Sequence, residues 1–357
     1  MESVSSEFID TPAALGALLA EVGDEPVCAV DTEADSLHRY RESLCLIQFA
    51  WGSRCVLVDP LAIEDLGTFY DYLTGSTVWM HGADYDMTMI RRECDQLPVK
   101  VYDTQIGARL LGVRKFGLAN LVEHYFDVSL SKSSQKADWG KRPLSPKMVD
   151  YALNDVRYLL PMGEMIVKAL KESGRFGWFV ESCEWAKAKV LERDELKDEP
   201  WRIQGAGRLD RKGLNYLRCL WNWRDSEAEQ WDRPSFMVVT NKQLVEWSQI
   251  LTAGGRLDLP HHYRPDRKRR LSAALKEAEA ADPSSYPKKM KGLRRRRDRD
   301  FDQRVNDLIG RRNKIAKELD IDSSLLGSRA MIEALAAEDE GYESQWMDWQ
   351  KECLGLA

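Results

Sequence analysis

Up to about residue 130, short apolar runs rich in β-branched and aromatic residues alternate with segments of helical periodicity. The runs predict strands over residues 27–30, 44–49, 55–58, 78–81 and 101–102. Short connections between the first three runs predict an antiparallel meander, whereas helix-length segments before the later runs predict parallel crossovers. We therefore expect an α/β fold in which helices cover both faces of a mixed sheet.

Beyond about residue 145 the strand signals almost disappear and helical patterns take over. Ser145 and Pro146 are the residue types favoured at a helix N-cap and at the first helical position. They predict the start of a helix that continues to about residue 160. The distal half of the chain is therefore expected to be helical.

Composition limits the class of protein. A chain of 357 residues is longer than one that usually folds around a single hydrophobic core, so two or three domains are expected. With 43% hydrophobic and 31% charged residues and no apolar run near the ~18 residues of a membrane span, it is typical of a globular protein without membrane contact. An acidic N-terminal stretch without a basic region argues against a secretory signal and predicts a cytoplasmic location. Seven cysteines without a CxxC pair favour reduced thiols.

Charge is distributed unevenly along the chain. Residues 261–312 hold 17 Lys and Arg against 8 Asp and Glu, whereas the rest holds 35 against 50, although the net charge is −6. A polyanion would therefore meet the C-terminal third first. The alternative interpretation of a basic run such as residues 294–297 is a solvated charged surface.

Acidic residues lie at the ends of three predicted elements. Asp31 and Glu33 are two apart, so in an extended strand both side chains leave the same face. Tyr151 and Asp155 are four apart, which places them on one face of the predicted helix. Asp86 follows a strand-like run and opens another helical pattern. These elements can direct four carboxylates and a phenol toward one point.

Such a cluster needs a counter-charge, because each carboxylate raises the pKa of its neighbours. Oxygen ligands without nearby His or Cys favour Mg²⁺ or Mn²⁺ over zinc. Two such ions support phosphodiester hydrolysis by in-line displacement. Each motif alone also has a structural explanation: Asp-x-Glu is common, Asp86 is suited to cap a helix, and Tyr151 and Asp155 can form a surface pair.

Taken together and in order, the segments resemble the ribonuclease D family of DEDD exonucleases, in the subgroup with tyrosine in the third motif. The motifs are VDTEADS, HGADYDMTMI and YALNDVRYLLP, and the similarity extends to LCLIQFA, VYDTQIGARLL and the segment from GLANLVEHYF to KRPLS. It covers roughly residues 20–170. The resemblance implies a ribonuclease-H-like fold for this part of the chain.

The resemblance also implies roles for five residues. Asp31, Glu33, Asp86 and Asp155 would be the ligands of two divalent ions, Mg²⁺ or Mn²⁺. Glu33 would lie near the terminal 3′-hydroxyl of the substrate, and Tyr151 would orient the attacking water. A phenol with an ordinary pKa of ~10 is a poor base at neutral pH, which favours positioning as the role of Tyr151.

Further residues are candidates for substrate contact. His81 opens the second motif, although a hydrogen-bonded histidine at a strand end is the simpler interpretation. Asp84 precedes Asp86 by two positions and is expected to cap the following helix. A loop between the second and third motifs offers cations and an aromatic ring for phosphate contacts and stacking, or is merely solvated. Its candidates are Lys132, Lys136, Trp139, Lys141 and Arg142.

Two segments of the distal half resemble HRDC modules, the small helical domains shared by ribonuclease D and RecQ-type helicases. The first covers 205–248 and the second, weaker match covers 305–336, with a basic linker over 282–300. In the first, an apolar stripe at helical spacing ends at Asp232-Arg233-Pro234, and Asn241 is expected to cap the next helix. The stripe comprises Leu214, Leu217, Trp221 and Ala228, and core packing is the favoured role of Trp221, Trp223 and Trp231.

The expected domains are therefore an exonuclease domain over 1–195, a helical module over 196–285, and the linker with a second module over 286–357. The expected function is a 3′–5′ exoribonuclease that releases nucleoside 5′-monophosphates, with tRNA precursors or other RNA with a free 3′ end as substrate and without an obligate protein partner. Two alternatives are a DNA 3′–5′ exonuclease and a catalytically silent RNA-binding scaffold. The presence of all five residues argues against the scaffold.

Overall fold

The computed structural model describes residues 8–131, 133–193, 199–289, 299–339 and 341–356. These residues form two compact units. The first contains the described residues up to Ala34, Leu44–Arg193 and those from 299 onward. The second contains Asp35–Ser43 and the described residues between 199 and 289. The domain limits at 195 and 285 stay a prediction.

A six-stranded mixed sheet lies in the first unit. Its strands are β1 (Phe8–Ile9), β2 (Val27–Ala34), β3 (Leu44–Trp51), β4 (Arg54–Val58), β5 (Thr77–Met80) and β6 (Lys100–Asp103). Their order is β1-β4-β3-β2-β5-β6. The β2, β3 and β4 strands form the predicted antiparallel meander, and β5 and β6 join it in parallel. The expected mixed sheet is confirmed. The strand β1 was not predicted, because two residues are too few to show a period-2 pattern.

Helices cover both faces of this sheet. They are α1 (Pro12–Val22), α2 (Gly67–Gly75), α3 (Asp84–Cys94), α4 (Thr104–Leu110), α5 (Leu118–Phe126), α6 (Pro146–Arg157), α7 (Leu159–Glu172) and α8 (Phe176–Leu191). On one face, α1 to α3 pack on a core that includes Val30 and Phe49. On the other, α7 packs on Ala29 and Ala50, and α6 packs on Leu46 and Leu57. Alternate residues of β2 thus face different cores, as a strand period of two requires.

The last part of the chain packs on the sheet-bearing part of the same unit. It forms α13 (Phe301–Glu318), α14 (Arg329–Ala337) and α15 (Asp348–Leu354), numbered after the helices of the second unit, with 3-10 turns at Ser323–Leu326 and Tyr342–Gln345. The Trp178 and Trp349 rings stack with centroids 4.9 Å apart. Arg175 Nη2 donates to the Leu319 carbonyl oxygen at 2.7 Å. The segment that resembles a second HRDC module therefore belongs to the same compact unit as the sheet.

The second unit is helical, with α9 (Arg211–Trp231), α10 (Ser235–Val238), α11 (Asn241–Thr252) and α12 (Pro265–Ala280), and 3-10 turns at Ala206–Arg208 and Pro283–Ser285. The predicted stripe of α9 faces its core: Leu214, Leu217 and Ala228 are buried and Trp221 packs against them. The cap prediction for α11 was wrong by one residue, because Thr240 is the N-cap and accepts from the Gln243 amide. Thr240 and Gln243 form a capping box, which the sequence already contained.

None of the helices that the structure describes combines the length and the apolar character that a bilayer crossing requires. All seven cysteines are free thiols.

Candidate active site

The end of β2 directs two carboxylates onto one face of the sheet. Asp31 pairs with Gln48 and Glu33 with Leu46 of the antiparallel neighbour β3, and the register shifts directly after Glu33. Both side chains therefore share the face that α6 and α7 cover. Carboxylate oxygens of Asp31, Glu33 and Asp155 all lie within 4.8 Å of one another. Three of the predicted ligands thus converge at one point.

The third motif lies on α6, which begins at the predicted residues. Ser145 caps the helix by accepting from the Met148 amide, and Pro146 occupies the first helical position. Val149, Ala152, Leu153 and Val156 form the buried side of this helix. Tyr151 and Asp155, one turn apart, lie over the acidic end of β2, and the neighbouring phenol lowers the pKa of the Asp155 carboxyl against the effect of burial.

Asp86 lies in the first turn of α3, adjacent to the three-carboxylate group. Its side chain is buried and accepts two hydrogen bonds from Thr32, from the backbone nitrogen at 2.9 Å and from the hydroxyl at 2.6 Å. Thr32 stands between Asp31 and Glu33 in sequence, so the same strand that supplies two carboxylates also fixes a third. The sequence does not reveal this role of Thr32, because the spacing of the motifs gives no signal for it.

Burial raises the pKa of every carboxylate in the cluster, and the charges of neighbouring carboxylates raise it further. Burial is the largest cause for Asp31, whose pKa lies well above its usual range, and the charges of Asp86, Asp155 and Glu33 raise it further. Burial, followed by the same kind of repulsion, raises the pKa of Glu33 to about 9. Burial raises the pKa of Asp86 to about 6, although hydrogen bonds from Thr32 lower it. Burial raises the pKa of Asp155 to about 7, although the neighbouring Tyr151 phenol lowers it.

These shifts describe a cluster in which, among the described residues, neighbouring carboxylates and burial dominate the electrostatics. At neutral pH part of the cluster would bind protons, unless a cation neutralises it. The donor atoms are carboxylate oxygens without a sulfur or imidazole ligand among them, which suits Mg²⁺ or Mn²⁺. The residues present therefore fit the divalent ions expected from the sequence.

The turn that opens the second motif is held by β6 and the start of α4. His81 Nδ1 lies 2.9 Å from the Thr104 hydroxyl oxygen. Asp103 accepts hydrogen bonds from the backbone nitrogens of Gly82, at 2.9 Å, and Ala83, at 3.0 Å. His81 thus makes the strand-end hydrogen bond considered for it, and burial lowers the pKa of its ring, while substrate contact by His81 stays a prediction. Asp103 was overlooked, although its place between a short strand and a helix is typical of an N-cap.

The cap predicted for Asp84 is wrong. Ala83 occupies the N-cap position of α3, which has no side-chain cap, and Asp84 is the first helical residue. Its carboxylate instead pairs with Arg193 at 2.6 Å.

The strand β3 carries one amide side chain among apolar neighbours. Gln48 is fully buried, and its register beside Asp31 places it on the face that α6 covers. Neither polar atom of its side chain has a hydrogen-bond partner within the part of the chain that the structure describes. A buried amide without a partner is costly, and a single Gln in an otherwise apolar run is the sequence signal by which it is recognised.

Two of the loop residues predicted to contact substrate are instead internal. Trp139 is 1% exposed and its ring centroid lies 6.0 Å from that of Tyr151, so it presents no free face for stacking. All five N–H groups of Arg142 are used within the protein. They donate to both carboxylate oxygens of Asp59 and to the carbonyl oxygens of Trp139, Lys141 and Cys45. Arg142 therefore fastens the loop to the sheet.

The remaining loop candidates differ in how far the structure describes them. Lys136 and Lys141 are exposed, and the Lys141 ammonium lies 3.8 Å from the Asp138 carboxylate. Lys132 lies outside the described residues, as do residues 290–298 of the predicted basic linker. Substrate contact by the exposed lysines stays a prediction.

Comparison with known proteins agrees with this geometry. The family model for the 3′-5′ exonuclease domain matches residues 6–171. Ribonuclease D of Cronobacter turicensis is 32% identical over 258 residues, which cover 70% of this chain and 69% of that protein. Ribonuclease D of Xanthomonas oryzae pv. oryzae is 33% identical, with 60% of each chain covered, so the match spans about three fifths of that relative.

A solved structure is similar over nearly the whole chain. The crystal structure of Escherichia coli RNase D, described as an exoribonuclease involved in structured RNA processing, superposes with a TM-score of 0.73 at 26% identity and covers 98% of both chains. These similarities point to the same family as the sequence motifs and the acidic cluster under α6. This chain belongs to the ribonuclease D family of 3′–5′ exonucleases.

Proposed function

We propose that this protein is a metal-dependent exoribonuclease that removes one nucleotide at a time from the 3′ end of RNA. The observation that carries the proposal is the convergence of Asp31, Glu33 and Asp155 within 4.8 Å, with Asp86 fixed beside them by Thr32. Raised pKa values throughout the cluster support a cation-binding role, because they express electrostatic strain that a divalent cation relieves.

In this proposal Asp31, Glu33, Asp86 and Asp155 hold two divalent ions, Mg²⁺ or Mn²⁺. When bound, such ions supply Lewis-acid chemistry, which makes water acidic enough to attack phosphorus and stabilises charge on the departing oxygen. The P–O3′ bond of the terminal phosphodiester breaks, water supplies the new P–O bond and a proton for the departing 3′-hydroxyl, and a nucleoside 5′-monophosphate leaves. In this proposal Glu33, near the end of β2, accepts a hydrogen bond from the terminal 3′-hydroxyl of the substrate.

Tyr151 is a positioning residue for the attacking water. Burial raises the pKa of its phenol above the ordinary value of ~10, and the charges of Asp155, Glu33 and Asp31 raise it further. The group thus remains protonated at physiological pH and donates a hydrogen bond, without acting as a base. A donor fixed over the cluster restricts the position of the attacking water. Such orientation removes a large part of the free-energy barrier to hydrolysis.

RNA is the proposed substrate because a relative 32% identical to this chain is named ribonuclease D and the similar solved structure is described as an exoribonuclease. Structured RNA with a free 3′ end, such as a tRNA precursor, is the proposed class, in agreement with the description of the Escherichia coli relative. The basic excess in residues 261–312 supports a polyanionic partner.

Matched RNA and DNA oligonucleotides labelled at the 5′ end test this proposal. Incubation with Mg²⁺ or Mn²⁺ is expected to give a ladder that shortens from the 3′ end of RNA, absent with EDTA and with Asp155→Asn. A ladder on DNA alone would assign the DNA alternative. If neither strand shortened with any metal while RNA still bound, the scaffold alternative would replace the proposal.

A further inference from the structure

A cavity of about 410 Å³ opens in the second unit, where the end of α9 meets the start of α12. It belongs to the helical unit and contains no residue of the acidic cluster. Its size falls within the range of small-ligand sites. Its lining includes Glu227 and Trp231 of α9, His262 and Arg264 before α12, and Arg267 and Arg270 of α12.

A buried ion-pair network shapes the wall of this cavity. The Glu227 carboxylate, which is 2% exposed, accepts from Arg267 Nε at 3.0 Å and from Arg270 Nη2 at 2.8 Å, and Arg270 Nε donates to it as well. Burial raises the pKa of Glu227, but the hydrogen bonds from Arg270 and Arg267 outweigh it and hold the pKa below its usual range. The two guanidinium groups are therefore fixed in place before any ligand arrives, which reduces the entropic cost of binding.

Trp231 forms the aromatic side of the cavity and departs from the predicted core role. Trp223 is 6% exposed and packs in the core, whereas Trp231 is 48% exposed. The Arg267 guanidinium lies 5.1 Å from the centroid of the Trp231 ring, at cation–π distance. Half of the indole surface thus remains available to solvent beside a fixed cation, an arrangement suited to stacking with another aromatic ring.

Positive charge predominates in the segment beside this aromatic surface, although Asp266, which pairs with Arg270, also lines the cavity. Residues 264–270 hold five Lys and Arg against one Asp. Arg264, Lys268 and Arg269 are exposed, and Arg264 lines the cavity itself. A stacking ring beside a cationic rim matches the two parts of a nucleotide, since the base has a π face and the phosphate is an anion.

We propose that this cavity is a second RNA site that holds one nucleotide of a single strand, with its base stacked on Trp231 and its phosphate beside Arg264. The inference rests on the proposed function, because RNA is the polyanion that the nuclease acts on. Stacking tolerates any base, so such a site would retain RNA without reading its sequence. The second unit would thereby increase the residence time of RNA on the enzyme.

Fluorescence anisotropy with a labelled, unstructured RNA 12-mer in EDTA, which prevents cleavage, tests the site on the full-length protein. Trp231→Ala is expected to weaken binding by about tenfold, which corresponds to ~1.4 kcal/mol and is of the order expected for the loss of one stacked base. Trp231→Phe retains most of the affinity. The matched control is Phe236→Ala, which removes a ring of similar exposure, 47%, that does not line the cavity and is expected to leave binding unchanged.

Two further readouts test the phosphate contact and the stacking contact separately, the second of them on wild-type protein. Arg264→Gln is expected to reduce the salt slope of RNA binding by about 0.7, the value for one phosphate contact on a single strand. Ultraviolet crosslinking of wild-type protein to RNA containing 5-bromouracil is expected to modify the peptide that contains Trp231.

The outcomes separate this inference from the proposed function. If wild-type protein shortens RNA but Trp231→Ala and Arg264→Gln bind RNA like wild type and the crosslinks lie elsewhere, the second site is refuted and the nuclease stands. If wild-type protein neither shortens nor binds RNA, both are overturned. Equal losses in Trp231→Ala and Phe236→Ala would also refute the site, because the effect would then not be specific to the cavity.

Discussion

Thr32 donates two hydrogen bonds to one carboxylate oxygen of Asp86, from its backbone nitrogen at 2.9 Å and from its hydroxyl at 2.6 Å. This contact joins the strand that carries Asp31 and Glu33 to the helix that carries Asp86. The hydroxyl stabilises the charged form of Asp86, whose pKa burial raises to about 6. The fourth carboxylate is therefore oriented by the residue that separates the first two.

Thr32→Val removes the hydroxyl donor while it keeps the shape of the side chain. Loss of such an outer hydrogen bond typically lowers metal affinity or activity by about 10- to 100-fold. We expect a similar loss of kcat/KM for RNA shortening, with part of it recovered at high Mg²⁺. Thr32→Ser retains the hydroxyl donor. Its kcat/KM is expected to stay within about threefold of wild type, because the hydrogen bond to the charged carboxylate is kept. Equal rates for Thr32→Val and wild type at limiting Mg²⁺ would contradict the account.

Stability of the metal-free protein is expected to fall as pH rises. The folded pKa values of Asp86, Asp155 and Glu33, about 6, 7 and 9, lie above those of the unfolded chain, so folding favours the protonated forms. Their contribution is complete below about pH 4, near the unfolded pKa values, and is lost as pH rises through the folded values. Thermal unfolding in EDTA measures this trend.

Two controls identify the acidic cluster as the source of that trend. Mg²⁺ is expected to raise Tm most at high pH, where the cluster is most fully charged. Asp155→Asn is expected to flatten the EDTA profile, because it removes one of the titrating groups. A Tm that rose from pH 5 to pH 9 in EDTA, for wild type and Asp155→Asn alike, would contradict the electrostatic description of the site.

Tyr151→Phe tests the positioning role of the phenol. Removal of the hydroxyl leaves the ring but loses the donor that orients water, and misplacement of a reacting group costs about 10²-fold. We expect kcat to fall by that order while KM changes little. The pH dependence of kcat should keep its shape, since a phenol whose pKa lies above the ordinary value does not titrate in the working range. Loss of a limb of the pH profile in the variant would assign the phenol to proton transfer instead.

Arg142→Gln tests whether the loop before α6 is held by an internal ion pair. The Asp59 side chain is 3% exposed, and the variant would leave this carboxylate without its cation. Breaking such a pair costs about 3–5 kcal/mol, which we expect as a fall of several degrees in Tm. Lys141→Gln is the matched control, because the neighbouring ammonium is 76% exposed. If Arg142→Gln kept the wild-type Tm but bound RNA more weakly, the substrate contact predicted from the sequence would be restored.

The local patterns of the chain anticipated the elements that carry the chemistry. Alternation and run length identified the central strands, and the spacing of Asp31 with Glu33 and of Tyr151 with Asp155 placed each pair on one face. Period-2 and period-3.6 patterns are properties of neighbouring residues, so they can be read without knowledge of the fold. The Ser145-Pro146 start of α6 is predictable for the same reason.

Contacts between distant residues were not anticipated. Arg142 pairs with Asp59 across 83 positions, and nothing in a basic loop distinguishes such an arginine from one that meets phosphate. Trp231 is the last residue of its helix, and Asp232, which follows it, has a positive φ. At this helix end the indole is exposed, although a core role was the favoured prediction for this tryptophan. Tertiary packing decides the exposure of a single side chain, and no periodicity records it.

Parallel titration of Mn²⁺ binding and RNA shortening shows whether turnover depends on metal ions held by the acidic cluster. Electron paramagnetic resonance counts Mn²⁺ on wild type, Asp31→Asn and Asp155→Asn in the presence of an RNA whose terminal linkage resists cleavage, while the cleavable RNA reports turnover. We expect two ions on wild type, the loss of at least one ion in each variant, and turnover that falls with metal occupancy. Variants that shortened RNA at the wild-type rate after losing Mn²⁺, or wild type that worked in EDTA, would contradict it.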